Sequence, residues 1–369
     1  QEGTAALAGY GRIFRHNVAL SGVVPQISII GGLSAGGGCY SPALTDFVVM
    51  TQDAAMFLTG PGVVKDVMGE DVSAAELGGH KVHEANGVCD LVVADDHAAA
   101  AVSRSLLSYL PQNAWSGLPR TLAVEPELAD PALAVPEDPR KVYDVRSAIA
   151  GIVDGGSLLE IQPRWARSLV TGFARIDGRP VGVIANQPRY MGGVLDAESS
   201  QKGARFVQTC DAYGIPLVVL VDTPGFMPGT RQEQAGVIRF GASLVRAFAA
   251  ATVPRVTVVL RKAYGGAFIT MNSKDLGADL VFAWPGAEIG VMGAQPAVGI
   301  IHRRELAAAA DPVAEREVLA AAYADEHLGA HVAAANGFVD EVIEPHETRR
   351  RLAAALGMID DRRSTAVLA

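Results

Sequence analysis

The sequence predicts an α/β protein built on a duplicated unit, and three observations carry that expectation. First, PRVTVVLRKAYGGA, Pro254 to Ala267, reads as a buried strand, Val256 to Leu260, running into a tight glycine turn that opens a helix. Four apolar residues around Thr257, bounded by polar and glycine residues, suit a strand covered on both faces. Second, PQISIIGGLSAGG, Pro25 to Gly37, repeats the order of proline, β-rich run, turn and paired glycines. The offset is 229 residues from Pro25 to Pro254 and again from Gly37 to Gly266. Third, LGGHKVHEANGVCDLVVADD, Leu77 to Asp96, reappears as HLGAHVAAANGFVDEVIEP, His327 to Pro345, with Asn86 and Asn336 250 residues apart. The second copy is therefore the longer one after its glycine turn. The alternative is convergent punctuation of unrelated α/β segments.

A chain of 369 residues has room for two cores. Hydrophobic content is 49% and mean hydropathy +0.22, yet the apolar runs are short and glycine-punctuated. None reaches the roughly 18 residues a membrane span needs, so alanine-rich helices and buried interface account for the excess. A net charge of −9 without a long basic run argues against nonspecific nucleic-acid binding. Cys39, Cys89 and Cys210 form no metal-like spacing and suit a reducing cytoplasm as small buried residues. No signal peptide is visible.

The opening QEGTAALAGYGRIFRHNVALSG has no initiator methionine and reads as a helix, with Leu7, Tyr10, Ile13, Phe14 and Val18 at helical spacing. A whole domain would supply strands first, so the chain is expected to start inside a larger protein. Strands follow at Phe47 to Met50 and Ala54 to Gly60, after a helical turn expected near Ser41-Pro42. Val63 to Val67 reads as a short helix, Ser73 with Glu76 as a capping box, and His97 to Leu110 as a closing helix. Six prolines mark Pro111 to Lys141 as a linker or arm, which Trp115 is expected to pack down. The expected domains are thus 1–110, a Pro-rich arm 111–141, and 142–369.

In the second domain Arg146 to Val153 reads as helix and Leu158 to Ile161 as a strand edge. Leu169 to Ile176 and Val181 to Asn186 read as a hairpin through Asp177-Gly178. Ser199 to Tyr213 is then a crossover helix, Leu217 to Asp222 a strand ending in DTPGF, and Gln232 to Ala250 one long helix. Strand, crossover helix and strand in repetition mean right-handed βαβ units.

Few side chains look poised for chemistry. HExxH and CxxC are absent. Gly32-Leu33-Ser34-Ala35-Gly36 matches GxSxG after a strand, but no acid and base complete a triad around Ser34. Asp222-Thr223-Pro224-Gly225 has the DxxG form of a nucleotide-site metal ligand, without the GxxxxGK[ST] that would hold phosphates. His80 and His83 are three apart, while His327 and His331 are four apart and could share a helical face; neither pair has an evident third ligand. What remains are two glycine turns at strand-to-helix junctions. Their converging N–H groups can hold an oxyanion without a charged side chain, or the glycines merely permit close packing.

AGGGCYSPALTDFVVM with FLTGPGVVKDVMGEDVSAAELGG, and DTPGFMPGTRQEQAGVIRFGASLVRAF with RKAYGGAFITMNSK and AWPGAEIGVMGAQPAVGI, resemble the carboxyltransferase subunit of biotin-dependent acyl-CoA carboxylases. The likeness covers nearly the whole chain. It implies tandem duplicated crotonase-like (ClpP/crotonase) domains, the first lacking its N-terminal part here. It implies that Gly36 and Gly37 hold the enolate of an acyl-CoA thioester, while Gly266 and Ala267 bind and polarise the ureido oxygen of carboxybiotin. Ala35, Tyr40, Tyr264, Gly265 and Ile269 would contact substrate. The family needs no protein base, because carboxybiotin releases CO₂ and its freed nitrogen takes the α-proton.

The implied cofactor is biotin on a carrier domain, with acyl-CoA as substrate and neither metal nor nucleotide in this subunit. The implied partners are further copies of the chain, most often as a hexamer with active sites shared between chains, and a biotin carboxylase with a biotin carboxyl carrier. Ile269 stands where propionyl-CoA-preferring members usually carry Asp, which leans the expectation to acetyl-CoA giving malonyl-CoA, with propionyl-CoA as a second substrate. A decarboxylase subunit running the transfer in reverse, and a non-catalytic scaffold, are the alternatives.

Overall fold

The computed structural model describes residues 3–366, with side chains through Ile359. Contacts divide it into two units. One comprises residues up to Arg120 with 159–166 and 211–215; the other comprises 121–158, 167–210 and 216 onward.

The first unit opens with α1 (Thr4–Leu20), none of whose residues is buried. Two parallel ladders come next. Strands β1 (Ile27–Ile30), β3 (Phe47–Thr51) and β5 (Leu91–Val93) form one, with β3 in the middle. Strands β2 (Leu33–Ala35) and β4 (Ala55–Phe57) form the other. Val48, Met50, Met56, Cys39 and Cys89 make the core behind them. Helices α2 (Gly37–Ala43), α3 (Pro61–Met68), α4 (Ala74–Gly78), α5 (His80–Asn86) and α6 (Asp96–Leu107) complete the unit, and β6 (Leu159–Ile161) lies in its later segment. Ser73 Oγ accepts from the Glu76 N–H at 3.2 Å while Glu76 Oε2 accepts from the Ser73 N–H at 3.0 Å, the reciprocal cap read from the sequence.

The second unit has α7 (Val145–Ala150) and then the hairpin β7 (Leu169–Ile176) and β8 (Arg179–Asn186). Asp177 and Gly178 both take positive φ, 54° and 72°, as a two-residue type I′ turn demands. The Asp154 carboxylate accepts both their N–H groups at 2.9 Å, which locks the turn. After α8 (Ala197–Ala212) come β9 (Leu217–Thr223), α9 (Thr230–Gln234), α10 (Val237–Ala250), β10 (Arg255–Tyr264), α11 (Gly265–Thr270), β11 (Leu280–Ala283) and β12 (Glu288–Gly290). Helices α12 (Ala294–Ile301), α13 (Arg303–Ala308), α14 (Pro312–His327) and α15 (Ala330–Ala335), strand β13 (Glu341–Val342) and α16 (Thr348–Ala366) finish it. The sheet runs β13-β11-β10-β9-β8-β7, parallel except for the hairpin. Its central strands are buried on both faces, as their unbroken apolar runs require.

Duplication is visible in the pairing. β10 pairs β11, and β11 pairs β13, as β1 pairs β3 and β3 pairs β5. The end of β10 pairs β12 as β2 pairs β4. The extra length of the second copy lies after the glycine turn, where α12 to α14 stand in place of the shorter α3 and α4.

Four local expectations are corrected. The helix expected near Ser41-Pro42 already starts at Gly37 and holds Pro42 in its last turn. The long helix from Gln232 is two, because Gly236 at φ 80° breaks it. His327 ends α14 and His331 lies in α15, so they share no helical face. Trp115 is 82% exposed rather than packed down, and the arm contains no regular element beyond a 3₁₀ turn at Pro131–Ala134.

Cys89 gives the first unit a pH signature. Burial first, and then the Asp90 carboxylate, push its thiol up to about 12 from the ordinary 9.0. The folded state holds this proton more tightly than the unfolded chain. The stability so contributed is full below about pH 9 and is lost as pH rises toward 12. Denaturant titrations from pH 8 to 10.5 should show the parent losing stability faster than Cys89→Ala, by a slope approaching about 1.4 kcal/mol per pH unit. Parallel profiles would contradict the burial of this thiol.

Candidate active site

Strand β10 delivers its C-terminal end to a turn that only glycine makes cheaply. Gly265 has φ 60°, directly after an extended Tyr264 at φ −111° and ψ 142°. The chain then enters α11, so the N–H groups of Gly265, Gly266 and Ala267 fall in the first helical turn, where no intrahelical acceptor exists. Gly266 is exposed while Ala267 is fully buried. A Cβ placed on Gly266 would meet nothing nearer than the Phe226 ring at 4.0 Å, so the space before this turn is open.

The helix is pinned at both ends. Thr270 Oγ1 donates to the Gly266 carbonyl at 2.8 Å. Asn272, buried at φ 60°, donates through Nδ2 to Thr257 Oγ1 at 2.9 Å, and that hydroxyl donates to the Asn272 carbonyl at 2.8 Å. Short-range freedom is thereby removed from the turn before any ligand arrives.

Gly265, Gly266 and Ile269 form one wall of a cavity of about 880 Å³. Phe268, Leu276, Val291, Leu328 and Phe338 make most of the rest apolar. Ile269 is 53% exposed and faces this space from α11. Tyr264 donates its hydroxyl to Glu288 Oε2 on the adjacent strand; burial first, then this bond, raise the phenol well above its ordinary range. Burial likewise lowers the Lys262 ammonium, against the pull of Asp222.

The first glycine turn differs in detail. Gly36 has φ 59° and ψ −127°, a glycine-only conformation, and donates its N–H to the Phe57 carbonyl at 3.1 Å. Gly36's own N–H is thus engaged, and the N–H groups of Gly37 and Gly38 lie in the first turn of α2, where no intrahelical acceptor exists. Gly37 lies under Tyr10, whose ring would be 2.8 Å from any Cβ there. Tyr10, Phe14 and Tyr40 form an aromatic row with centroids 5.9 Å apart at each step, and Ala35 is exposed at the end of β2.

The other candidates are structural. No histidine or carboxylate among the described residues hydrogen-bonds Ser34 Oγ, which lies 3.9 Å from Cys39 Sγ. Asp222 of the DxxG match is buried against Arg261, Nε to Oδ2 at 2.8 Å. His80 Nδ1 and His83 Nε2 each bond a backbone carbonyl, of Gln52 and Met56, at 2.7 Å. Among the described residues no group of three or more His, Cys, Asp or Glu could hold a metal, and no helix is long and apolar enough to cross a membrane. Sequence reasoning missed Phe226 beneath Gly266, and the contribution of α12, α14 and α15 to the cavity.

Residues 1–367 match the carboxyl transferase domain model. The methylmalonyl-CoA carboxyltransferase 12S subunit of Propionibacterium freudenreichii subsp. shermanii is 52% identical over 371 residues, covering 99% of this chain and 70% of the relative. The biotin-dependent acetyl-/propionyl-coenzyme A carboxylase beta5 subunit of Mycobacterium tuberculosis is 48% identical over 376 residues, covering 98% and 68%. A crystal structure of transcarboxylase 12S, described as a hexamer assembly with methylmalonyl-coenzyme A and methylmalonic acid bound, superposes with a TM-score of 0.92 at 52% identity, covering 98% of this chain and 70% of that one. The α/β architecture is accordingly crotonase-like, and the chain belongs to the carboxyl transferase domain family, as a carboxyltransferase of the biotin-dependent acyl-CoA class.

Proposed function

We propose that this chain moves a carboxyl group between biotin, carried on another protein, and the α-carbon of a short acyl-CoA. The observation that carries the reading is the Gly265–Gly266 turn opening into an apolar cavity, in a chain so similar to named carboxyltransferases. The residues fit biotin. A compact bicycle whose few polar atoms sit in one planar ureido group suits apolar walls, and Gly266 leaves free the space a side chain would fill.

When bound, biotin supplies the nitrogen that carries the carboxyl group and takes up the acyl α-proton, so the chain itself needs no base. In this reading Gly266 and Ala267 N–H groups hold the ureido oxygen as charge builds on it, and at the Gly36–Gly37 turn the Gly37 N–H does the same for the thioester oxygen, with Gly36's own N–H held by Phe57. Donors fixed beforehand cost no reorganisation at the moment of reaction. Phe268, Ile269 and Val291 give the space beside these donors an apolar lining. Ala35 and Tyr40 border the first turn, and Tyr264 and Gly265 set the second.

The relatives' names favour the propionyl-CoA and methylmalonyl-CoA pair. Acetyl-CoA giving malonyl-CoA is the second reading, favoured by an apolar, half-exposed Ile269 on the cavity wall. Assembly as a hexamer, with a biotin carboxylase and a biotin carrier as partners in the cytoplasm, completes the proposal. The exposed Leu7, Ile13 and Val18 of α1 are surface that assembly could bury.

Gly266→Val tests the site. Its Cβ has room, so assembly should survive, while carboxyl transfer should fall about 10²-fold or more. Transfer within a few-fold of the parent would sink the assignment. Ile269→Asp tests the acyl group. It should move the kcat/KM ratio of propionyl-CoA over acetyl-CoA upward by about ten-fold, roughly 1.4 kcal/mol of differential transition-state binding. An unchanged ratio would remove Ile269 as a specificity residue.

A further inference from the structure

We propose that Asp222 and Arg261 are positioning residues for the second glycine turn, fixing where strand β10 aims its last residues. This deepens, and rests on, the reading of Gly266 and Ala267 as the biotin-side donors. Along most of its length β10 pairs β9 residue for residue, from Arg255 with Leu217 to Val259 with Val221. The next matched pair is Ala263 with Thr223, so four residues of β10 advance against two of β9. The strand bulges between those points, and such a bulge redirects everything after it. Beyond the bulge, Lys262–Tyr264 pairs Glu288–Gly290 of β12, and the chain then reaches Gly265.

The Asp222 carboxylate occupies the bulge. Oδ2 accepts from Arg261 Nε at 2.8 Å, and Oδ1 accepts from the Lys262 N–H at 3.4 Å. Asp222 is fully buried and the Arg261 side chain only 7% exposed, so solvent screens neither. From the other side Arg261 Nη1 donates to the carbonyls of Pro136, Asp138 and Lys141 at 3.0 to 3.2 Å, and Lys262 Nζ donates to the Pro139 carbonyl at 3.0 Å. Tyr143 places its ring 4.7 Å from the guanidinium. The proline-rich arm offers carbonyls, and two adjacent cations of β10 collect them. The guanidinium meets the carboxylate through Nε and the arm through Nη1, two donors held at a fixed angle to each other.

Asp222 also heads the DTPGF segment whose Phe226 lies beneath Gly266. The carboxylate thus bonds the strand that carries the donors, and its own backbone begins the segment that brings the ring behind them. A displacement of the donors by about 1 Å is enough to cost on the order of 10²-fold in rate.

The test is Asp222→Asn in the assembled enzyme, read by hydrogen exchange and by kinetics. Exchange in the segment 260–271 should quicken about ten-fold or more, while the β7–β8 ladder, 169–186, stays at parental rates. With free biotin as acceptor, kcat should fall about ten-fold or more and KM for the acyl-CoA should stay within two-fold. Unchanged exchange in 260–271, or a rise shared equally by 169–186, would overturn the proposal. If the single variant fails to assemble, the Asp222→Asn, Arg261→Gln double variant removes both buried charges and keeps a polar pair. It should show the same local exchange, and parental exchange in it would equally overturn the proposal. A parent without biotin-dependent transfer would overturn the functional reading alone, because the exchange pattern still decides the positioning.

Discussion

The left-handed backbone of Gly265, placed directly after a ten-residue buried strand, is the constraint on which the second unit's site depends. An L side chain at φ 60° is strained, and without that turn β10 would not bend into α11. Because it does bend, the first N–H groups of α11 lie beside a cavity, in the helical turn that has no intrahelical acceptor. The remaining structure holds that arrangement still. Thr257 and Asn272 fasten the far end of α11, and the Asp222 carboxylate fastens the near end through the bulge in β10. A site made of backbone donors has no side chain to adjust its geometry, so precision must come from what surrounds the backbone.

The two copies have used the same turn differently. In the first, Gly36 takes the strained conformation but gives its N–H to Phe57, and Gly37 is roofed by Tyr10. In the second, Gly266 is open toward the cavity. The extra length of that copy supplies the difference: Ile301 of α12, with Tyr323 and His327 of α14, belong to the inserted helices and line the cavity. A duplicated scaffold thus carries one turn with added walls and one without them.

Much of this is legible in the residues. The strands of the second unit announce themselves as β-branched runs, and Asp177-Gly178 specifies its hairpin because only such residues accept two positive φ values cheaply. The paired glycines and their constant offset disclose the duplication and both turns. The rest escapes the sequence for identifiable reasons. Helical periodicity runs through Gly236 without interruption, so nothing local reveals that it breaks the helix. Trp115 reads as packed because large aromatics usually are, whereas its arm offers it no core. Arg261 with its carbonyls, Phe226 beneath Gly266, and Leu328 and Phe338 lining one cavity with Ile269 join residues far apart in the chain, and no pattern of spacing encodes such meetings.

If backbone donors in this chain serve transfer between an acyl-CoA and biotin, a labelled carboxyl group will follow that route. Methylmalonyl-CoA or malonyl-CoA carrying a labelled carboxyl group would be incubated with the purified protein, with and without free biotin, and the label tracked to carboxybiotin and CO₂. Loss of label from the acyl-CoA should require both the protein and biotin. Loss of label at the same rate without biotin, or no loss with either acyl-CoA from a correctly assembled protein, would contradict it.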